Sequence, residues 1–134
     1  MKHTPLTYEK AGVSYDALDA FKRLAQAGGQ KTRIHAKRFQ EVAKSRGESA
    51  YVWEEADRYR AMVIEGLGTK SLVADAMRAT TGKTYYDVLA QDTVAAIVND
   101  LIVVGATPEV ITAYFAVGDS AWFADTVRTQ DLVR

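Results

Sequence analysis

The segment from Ile97 to Val110 reads IVNDLIVVGATPEV, an almost wholly apolar run with Asn99 and Asp100 set side by side inside it. This run limits the possible folds more than any other stretch. Burying an unpartnered polar group costs roughly 2–7 kcal/mol, and a charge costs more. The fold must therefore give Asn99 and Asp100 partners or turn them toward a ligand. Upstream, Val88, Leu89, Val94, Ala95, Val98, Leu101 and Ile102 are apolar nearly all round a helical wheel. That pattern predicts a buried helix over 84–104, with Gly105 as its C-terminal stop. A second stretch, IEGLGTK from Ile64 to Lys70, also sets a carboxylate beside a glycine turn and a lysine.

The chain has 134 residues, enough for one domain with its own core, so we expect a single domain over 1–134. Apolar residues make up 48% and charged residues 25%, a globular profile. No apolar run approaches the roughly 20 residues of a membrane span. The N-terminus MKHTPLTYEK lacks the apolar centre of a secretory signal. These features point away from a membrane and toward the cytoplasm. The absence of cysteine excludes disulfides, thiolate metal sites and a cysteine nucleophile. Two histidines, His3 and His35, are too few for a histidine metal cage or a convincing Ser-His-Asp arrangement. Net charge is zero, yet eight basic residues between Lys22 and Arg46 face one acid, Glu41. Such a segment suits either a polyanionic ligand or a solvated helix face; we do not expect nucleic acid as the partner.

The pattern along the chain predicts helices alternating with strands. Residues 14–27 read as a helix capped by Ser14, with a stripe of Leu18, Phe21, Leu24 and Ala25, stopped by Gly28-Gly29. Residues 30–45 hold a polar helical or irregular piece. Residues 51–53 form a short strand, and 59–65 a longer one that delivers Glu65 to its end. Gly66 and Gly68 turn the chain into a helix over 71–80, which Thr81-Gly82-Lys83 breaks. Glu109–Val117 is β-branched and aromatic, hence a strand. It is apolar on both faces, so one face is expected to lie against another subunit. A last helix spans 121–128, capped by Asp119 or Ser120. The predicted fold class is α/β or α+β, a mixed sheet flanked by helices.

Two groups of residues suit chemistry. Asp92, Ala96, Asn99 and Val103 fall at helical steps of four, three and four, so they share one face, with Asp100 one position round. Carboxylate and amide oxygens are the ligands a hard cation such as Mg²⁺ takes, with water and phosphate completing its shell. Helix capping or hydrogen bonds to a neighbouring loop would explain the same residues. In the second group, Glu65 ends a strand, Gly66 and Gly68 turn, and Thr69 and Lys70 open a helix whose backbone N–H groups can face an anion. This is not a Walker A loop, because the GxxxxGK[ST] spacing is absent. Glycine-rich strand-to-helix turns are also common without any ligand. Trp53, Trp122, Tyr85, Tyr86 and Tyr114 suit a core or an interface better than base stacking.

Taken in order, Tyr8-Glu9-Lys10-Ala11-Gly12-Val13, then Gly66-Leu67-Gly68-Thr69-Lys70, then Asp92 and Asn99-Asp100-Leu101 running to Gly105-Ala106-Thr107-Pro108, the chain resembles the N-terminal domain of the aminoimidazole ribonucleotide (AIR) synthetase family, the phosphoribosylformylglycinamidine cyclo-ligases of purine biosynthesis. The likeness runs from about residue 7 to about 125 and is poorest across 28–58. It implies an α/β N-terminal domain that forms a homodimer through its sheet, with ATP and Mg²⁺ as cofactors and a phosphoribosyl substrate in the full-length protein. It implies that ATP phosphorylates the substrate's formyl amide oxygen, after which an amidine nitrogen attacks and closes the imidazole ring. On this likeness Glu65, Asp92 and Asn99 become metal groups, and Gly66, Gly68, Thr69, Lys70, Asn99 and Asp100 hold ATP. Lys31 and Arg33 would cover the nucleotide.

The chain departs from the family pattern at Glu65, where the family has Asp, and at Leu67, where it has Val. The longer glutamate side chain bears on metal geometry. Family members are also more than twice as long. The expectation is thus an N-terminal domain without its C-terminal partner, inactive alone. The alternatives are a superfamily relative with a different acceptor and a non-catalytic dimerisation module.

Overall fold

The computed structural model describes residues 14–134. The motif from Tyr8 to Val13 lies outside the described residues. The chain divides into two units, Met1–Glu41 and Val42–Arg134.

In the first unit, Ser14 begins the long helix α1 (Tyr15–Thr32) by accepting the Ala17 N–H at 3.3 Å. Asp16 in its first turn and Lys31 in its last complement the helix dipole. The expected stop at Gly28-Gly29 is not where the helix ends. Each glycine costs about 1 kcal/mol against alanine, but the flanking residues are good helix formers and the Thr32 hydroxyl donates to the Gly29 carbonyl at 2.7 Å. Leu18, Phe21 and Leu24 are exposed along α1. After a 3-10 turn (Arg33–His35) comes the two-residue strand β1 (Gln40–Glu41). Here Arg33 Nε sits 2.9 Å from the buried carboxylate of Glu41.

The second unit opens on the buried Ser45, whose hydroxyl donates to the Val42 carbonyl at 2.8 Å and accepts the Val52 N–H at 3.0 Å. Strands β2 (Tyr51–Glu55) and β3 (Arg58–Met62) form an antiparallel hairpin in register from Tyr51↔Met62 to Glu55↔Arg58. The strand expected over 59–65 therefore ends at Met62. Tyr51 is the first residue of β2, and its pairing with Met62 closes the ladder.

Residues 63–69 form a loop into α2 (Lys70–Thr81). Gly82, at φ +77°, stops α2 in the left-handed conformation that favours glycine, and its N–H bonds the Arg78 carbonyl at 2.8 Å. Helix α3 (Tyr86–Val103) ends as its sequence predicts. Gly105 adopts φ +80°, its N–H bonds Ile102, and the Ala106 N–H bonds Leu101. Burial around α3 is less complete than expected. Tyr86 and Leu101 are buried, while Val88, Val94, Ile102 and Val103 are exposed. The hairpin and the two shorter helices of this unit supply too little surface to cover an apolar helix on every side.

Glu109–Val117 forms no strand. A strand needs a ladder partner for its N–H and C=O groups, and none of the described residues provides one. Val110 and Tyr114 are 77% and 90% exposed. The last predicted helix is split in two. Asp119 caps a 3-10 turn (Ser120–Ala124), and Asp125 caps α4 (Thr126–Leu132) by accepting the Arg128 N–H at 3.2 Å. The described residues are thus α+β, with four α-helices and short strands whose hairpin is antiparallel.

A polar and aromatic cluster joins α2, α3 and α4. Arg128 lies 5.5 Å from the Tyr86 ring centre and 4.9 Å from that of Trp122, and those two rings meet edge-on at 5.6 Å. The Arg128 guanidinium is 3.8 Å from Asp75 and 3.6 Å from Asp125. Arg78 pairs with Asp125, Thr84 with Asp131, and the Tyr86 hydroxyl donates to Asp75 at 3.2 Å.

Three of these groups titrate away from their usual ranges. The hydrogen bond to Asp125 pushes Arg78 up. The Arg78 hydrogen bond, with the Arg128 N–H, holds Asp125 below the ordinary carboxylate value. Burial, and then the charge of Asp75, pushes the Tyr86 phenol up. A lowered carboxylate contributes stability above its unfolded pKa, about 4, and loses it as pH falls through the folded value. A raised phenol contributes below its unfolded pKa, about 10, and loses it as pH rises through the folded value. Urea midpoints should accordingly fall at both extremes, and Tyr86→Phe should remove the Tyr86 share of the alkaline fall. An identical alkaline limb in wild type and Tyr86→Phe would contradict the assignment.

Candidate functional site

The loop between β3 and α2 carries one half of the expected site. Glu65, Gly66, Gly68, Thr69 and Lys70 are all exposed. The loop is held by its own backbone, the Lys70 N–H bonding the Leu67 carbonyl at 3.1 Å and the Leu72 N–H the Thr69 carbonyl at 3.1 Å. Gly68 takes φ +56°, a conformation strained for other residues, and a Cβ at Gly66 or Gly68 would meet open space. The loop therefore presents backbone that a ligand can approach closely. A shallow apolar depression lined by Ser49, Tyr51, Met62, Val63 and Ile64 lies where β3 leads into it.

Helix α3 carries the other half. Asp92 is half-buried, Asn99 exposed and Asp100 half-buried. The two halves meet at an ion pair between Lys70 Nζ and the Asp92 carboxylate. Near the far end of α3, the Ser49 hydroxyl donates to the Asp100 carbonyl at 2.8 Å, tying the approach to β2 to the helix. Among the described residues no three His, Asp or Glu side chains gather into a metal-binding group.

Two observations test the fit of a hard cation. Asp92 already faces a cation, since the Lys70 ammonium rests on its carboxylate. Asp92 and Asn99, however, are seven residues apart on one helix, about 10 Å along its axis at 1.5 Å per residue. Oxygen ligands lie about 2.1 Å from Mg²⁺, so these two cannot bind one ion together. Among the described residues the expected donors are thus separate side chains and not one Mg²⁺ site.

The sequence reading did not anticipate the Arg78–Asp125 and Arg128–Asp75 pairs or the Ser49–Asp100 bond. Their partners lie 47, 53 and 51 residues apart (125 − 78, 128 − 75, 100 − 49), beyond any local spacing. The one available signal was Asp125 before Thr126, a helix-capping pattern.

Residues 47–131 match the family model described as AIR synthase related protein, N-terminal domain. This is more than half of the chain, and the chain belongs to that family. It is similar to the phosphoribosylformylglycinamidine cyclo-ligases of Thermococcus kodakarensis, 34% identical over 113 residues, and Pyrococcus furiosus, 34% identical over 112. In each case the match covers 84% of this chain and 32% of the relative. The enzyme of the same name from Methanobrevibacter smithii is 30% identical over 112 residues, 84% of this chain and 30% of the relative. The chain therefore spans about a third of the length of the curated relatives it matches. No solved structure matches it significantly. No helix among the described residues is long and apolar enough to cross a membrane.

Proposed function

We propose that this chain is the nucleotide-binding, dimer-forming N-terminal part of a phosphoribosylformylglycinamidine cyclo-ligase, working in the cytoplasm with ATP and Mg²⁺. The observation that carries the reading is the Lys70–Asp92 contact, which brings the glycine loop and the oxygen-bearing face of α3 together at the motifs shared with the family. In this reading Gly66, Gly68 and Thr69 offer backbone to the phosphates and Lys70 adds a point charge. Glu65, Asp92 and Asn99 serve as metal ligands, and Asp100, one position round from Asn99, assists. Bound Mg²⁺ would neutralise phosphate charge. The chain's own part is to hold the phosphates in line, since positioning and electrostatic stabilisation dominate phosphoryl transfer. The phosphoribosyl substrate belongs to the full-length protein.

Titrating Mg²⁺-ATP into the purified chain by calorimetry should give saturable binding that EDTA weakens. No heat above dilution, with the chain folded by circular dichroism, would overturn the proposal. A related enzyme with a different acceptor would bind Mg²⁺-ATP equally but would not turn over the formylglycinamidine ribonucleotide when full length.

A second reading, a dimerisation module without catalysis, is favoured by the exposed apolar run from Val110 to Phe115. Both readings place a homodimer contact there. A charge buried in such a contact costs far more than an apolar pair contributes. Ile111→Asp or Phe115→Asp should therefore convert the dimer to monomer by light scattering. An unchanged mass for both variants would rule out this surface.

A further inference from the structure

Residues 120–132, the 3-10 turn and α4, turn the wrong side inward for an amphipathic segment. Their half-buried residues include Trp122, Asp125, Arg128 and Asp131, at steps of three, and three of those four carry charge. The apolar Phe123 and Val127 are exposed instead, whereas a surface helix ordinarily buries its apolar stripe. We propose that residues 120–132 are an ionic latch: they dock on α2 and α3 through charge, and come off as one unit when salt screens that charge. Docked, the latch lies over Tyr86, which is 2% exposed and meets Trp122 and Arg128. Released, it uncovers the Tyr86 and Trp122 rings. The latch is independent of the nucleotide reading.

Three features support the latch. First, its attachment is mainly polar. Arg78 on α2 holds Asp125 with both terminal nitrogens, the second at 3.3 Å, and Thr84 donates to Asp131. Arg128 stands 3.8 Å from Asp75 on α2 and 3.6 Å from Asp125, and its buried Nε has no hydrogen-bond partner. Second, these ion pairs lie within reach of dissolved salt, since their side chains are between 17% and 42% exposed. The screening length falls from about 10 Å at 0.1 M salt to about 3 Å at 1 M. Screening leaves an apolar seam intact, because burial of apolar area does not depend on charge. Third, the chain has slack. No helix or strand lies between Val103 and Ser120, and Val110, Ile111 and Tyr114 on that stretch are exposed. A segment with few buried apolar contacts opens locally at a lower free energy than the core it rests on.

Hydrogen exchange of the full chain, read by mass spectrometry at one pH in about 0.05 M and about 1 M NaCl, tests the latch. Amides of residues 120–132 should exchange roughly three- to tenfold faster at high salt, the scale of two or three partly exposed ion pairs. Amides of residues 92–101 in α3 should change by less than about twofold. Asp125→Asn keeps the helix cap, because Asn caps as well as Asp, and removes the charge that faces Arg78 and Arg128. This variant should exchange faster at 120–132 already in low salt and lose most of the further response. Equal acceleration of α3 and 120–132 would show one cooperative unit, and an unchanged rate at 120–132 in high salt would show an apolar attachment. Either result overturns the latch, as does Asp125→Asn with the full wild-type salt response. The wild-type comparison decides by itself if the variant does not fold.

Discussion

Arg128→Ala should lower the unfolding free energy of the chain by about 2–3 kcal/mol, with the loss appearing in the urea midpoint. The Arg128 side chain is only 17% exposed and stands over both Trp122 and Tyr86, within 4 Å of two carboxylates. A partly desolvated cation over aromatic rings is worth about 1–2 kcal/mol, and the buried stem adds packing. The carboxylates are not orphaned by the change, because Asp125 keeps Arg78 and Asp75 keeps the Tyr86 hydroxyl. Buried Arg128 Nε has no hydrogen-bond partner, which takes something off the total. Against a typical total of 5–15 kcal/mol, the effect is large for one side chain. Arg128→Lys should recover little of it, since an ammonium cannot stack its plane on the rings. A midpoint for Arg128→Ala within about 0.5 kcal/mol of wild type would show that α4 is held by other contacts.

Asp92→Ala should weaken Mg²⁺-ATP binding on the order of a hundredfold, about 3 kcal/mol, while leaving stability within about 1 kcal/mol of wild type. The two effects separate because the carboxylate is half-buried and its partner in the fold is an exposed lysine. Its removal costs the fold little and the proposed site one of its anionic ligands. Equilibrium dialysis and urea unfolding on the same preparation measure both. A drop in stability with unchanged nucleotide affinity would make Asp92 a structural residue.

The parts of this fold that could be read from sequence are those governed by local rules. Gly82 and Gly105 mark the ends of α2 and α3 because a left-handed turn there favours glycine. The same local logic places Asp92 and Asn99 on one face of α3. The glycine loop was readable for similar reasons. What escaped depends on contacts between distant segments. Gly28-Gly29 reads as a stop, yet α1 runs through it to Thr32, where continuing the helix outweighs the glycine cost. The β-branched run at 109–117 expresses a demand for a ladder partner, and no described residue meets it. The sequence reading expected the loop to meet α3 through Glu65 and Asp92, whereas the contact formed joins Lys70 to Asp92, 22 residues apart.

The central claim is that the 65–70 loop and the α3 face bearing Asp92 and Asn99 together hold a metal-bound nucleotide. Amide NMR of the labelled chain with substoichiometric Mn²⁺-ATP tests this most directly, because a paramagnetic ion broadens only nearby signals. The account predicts that broadening concentrates at residues 65–70, around Asp92 and around Asn99, and disappears when excess Mg²⁺-ATP is added. Broadening centred on the α4 cluster or spread evenly over the chain, with those signals sharp, would contradict it.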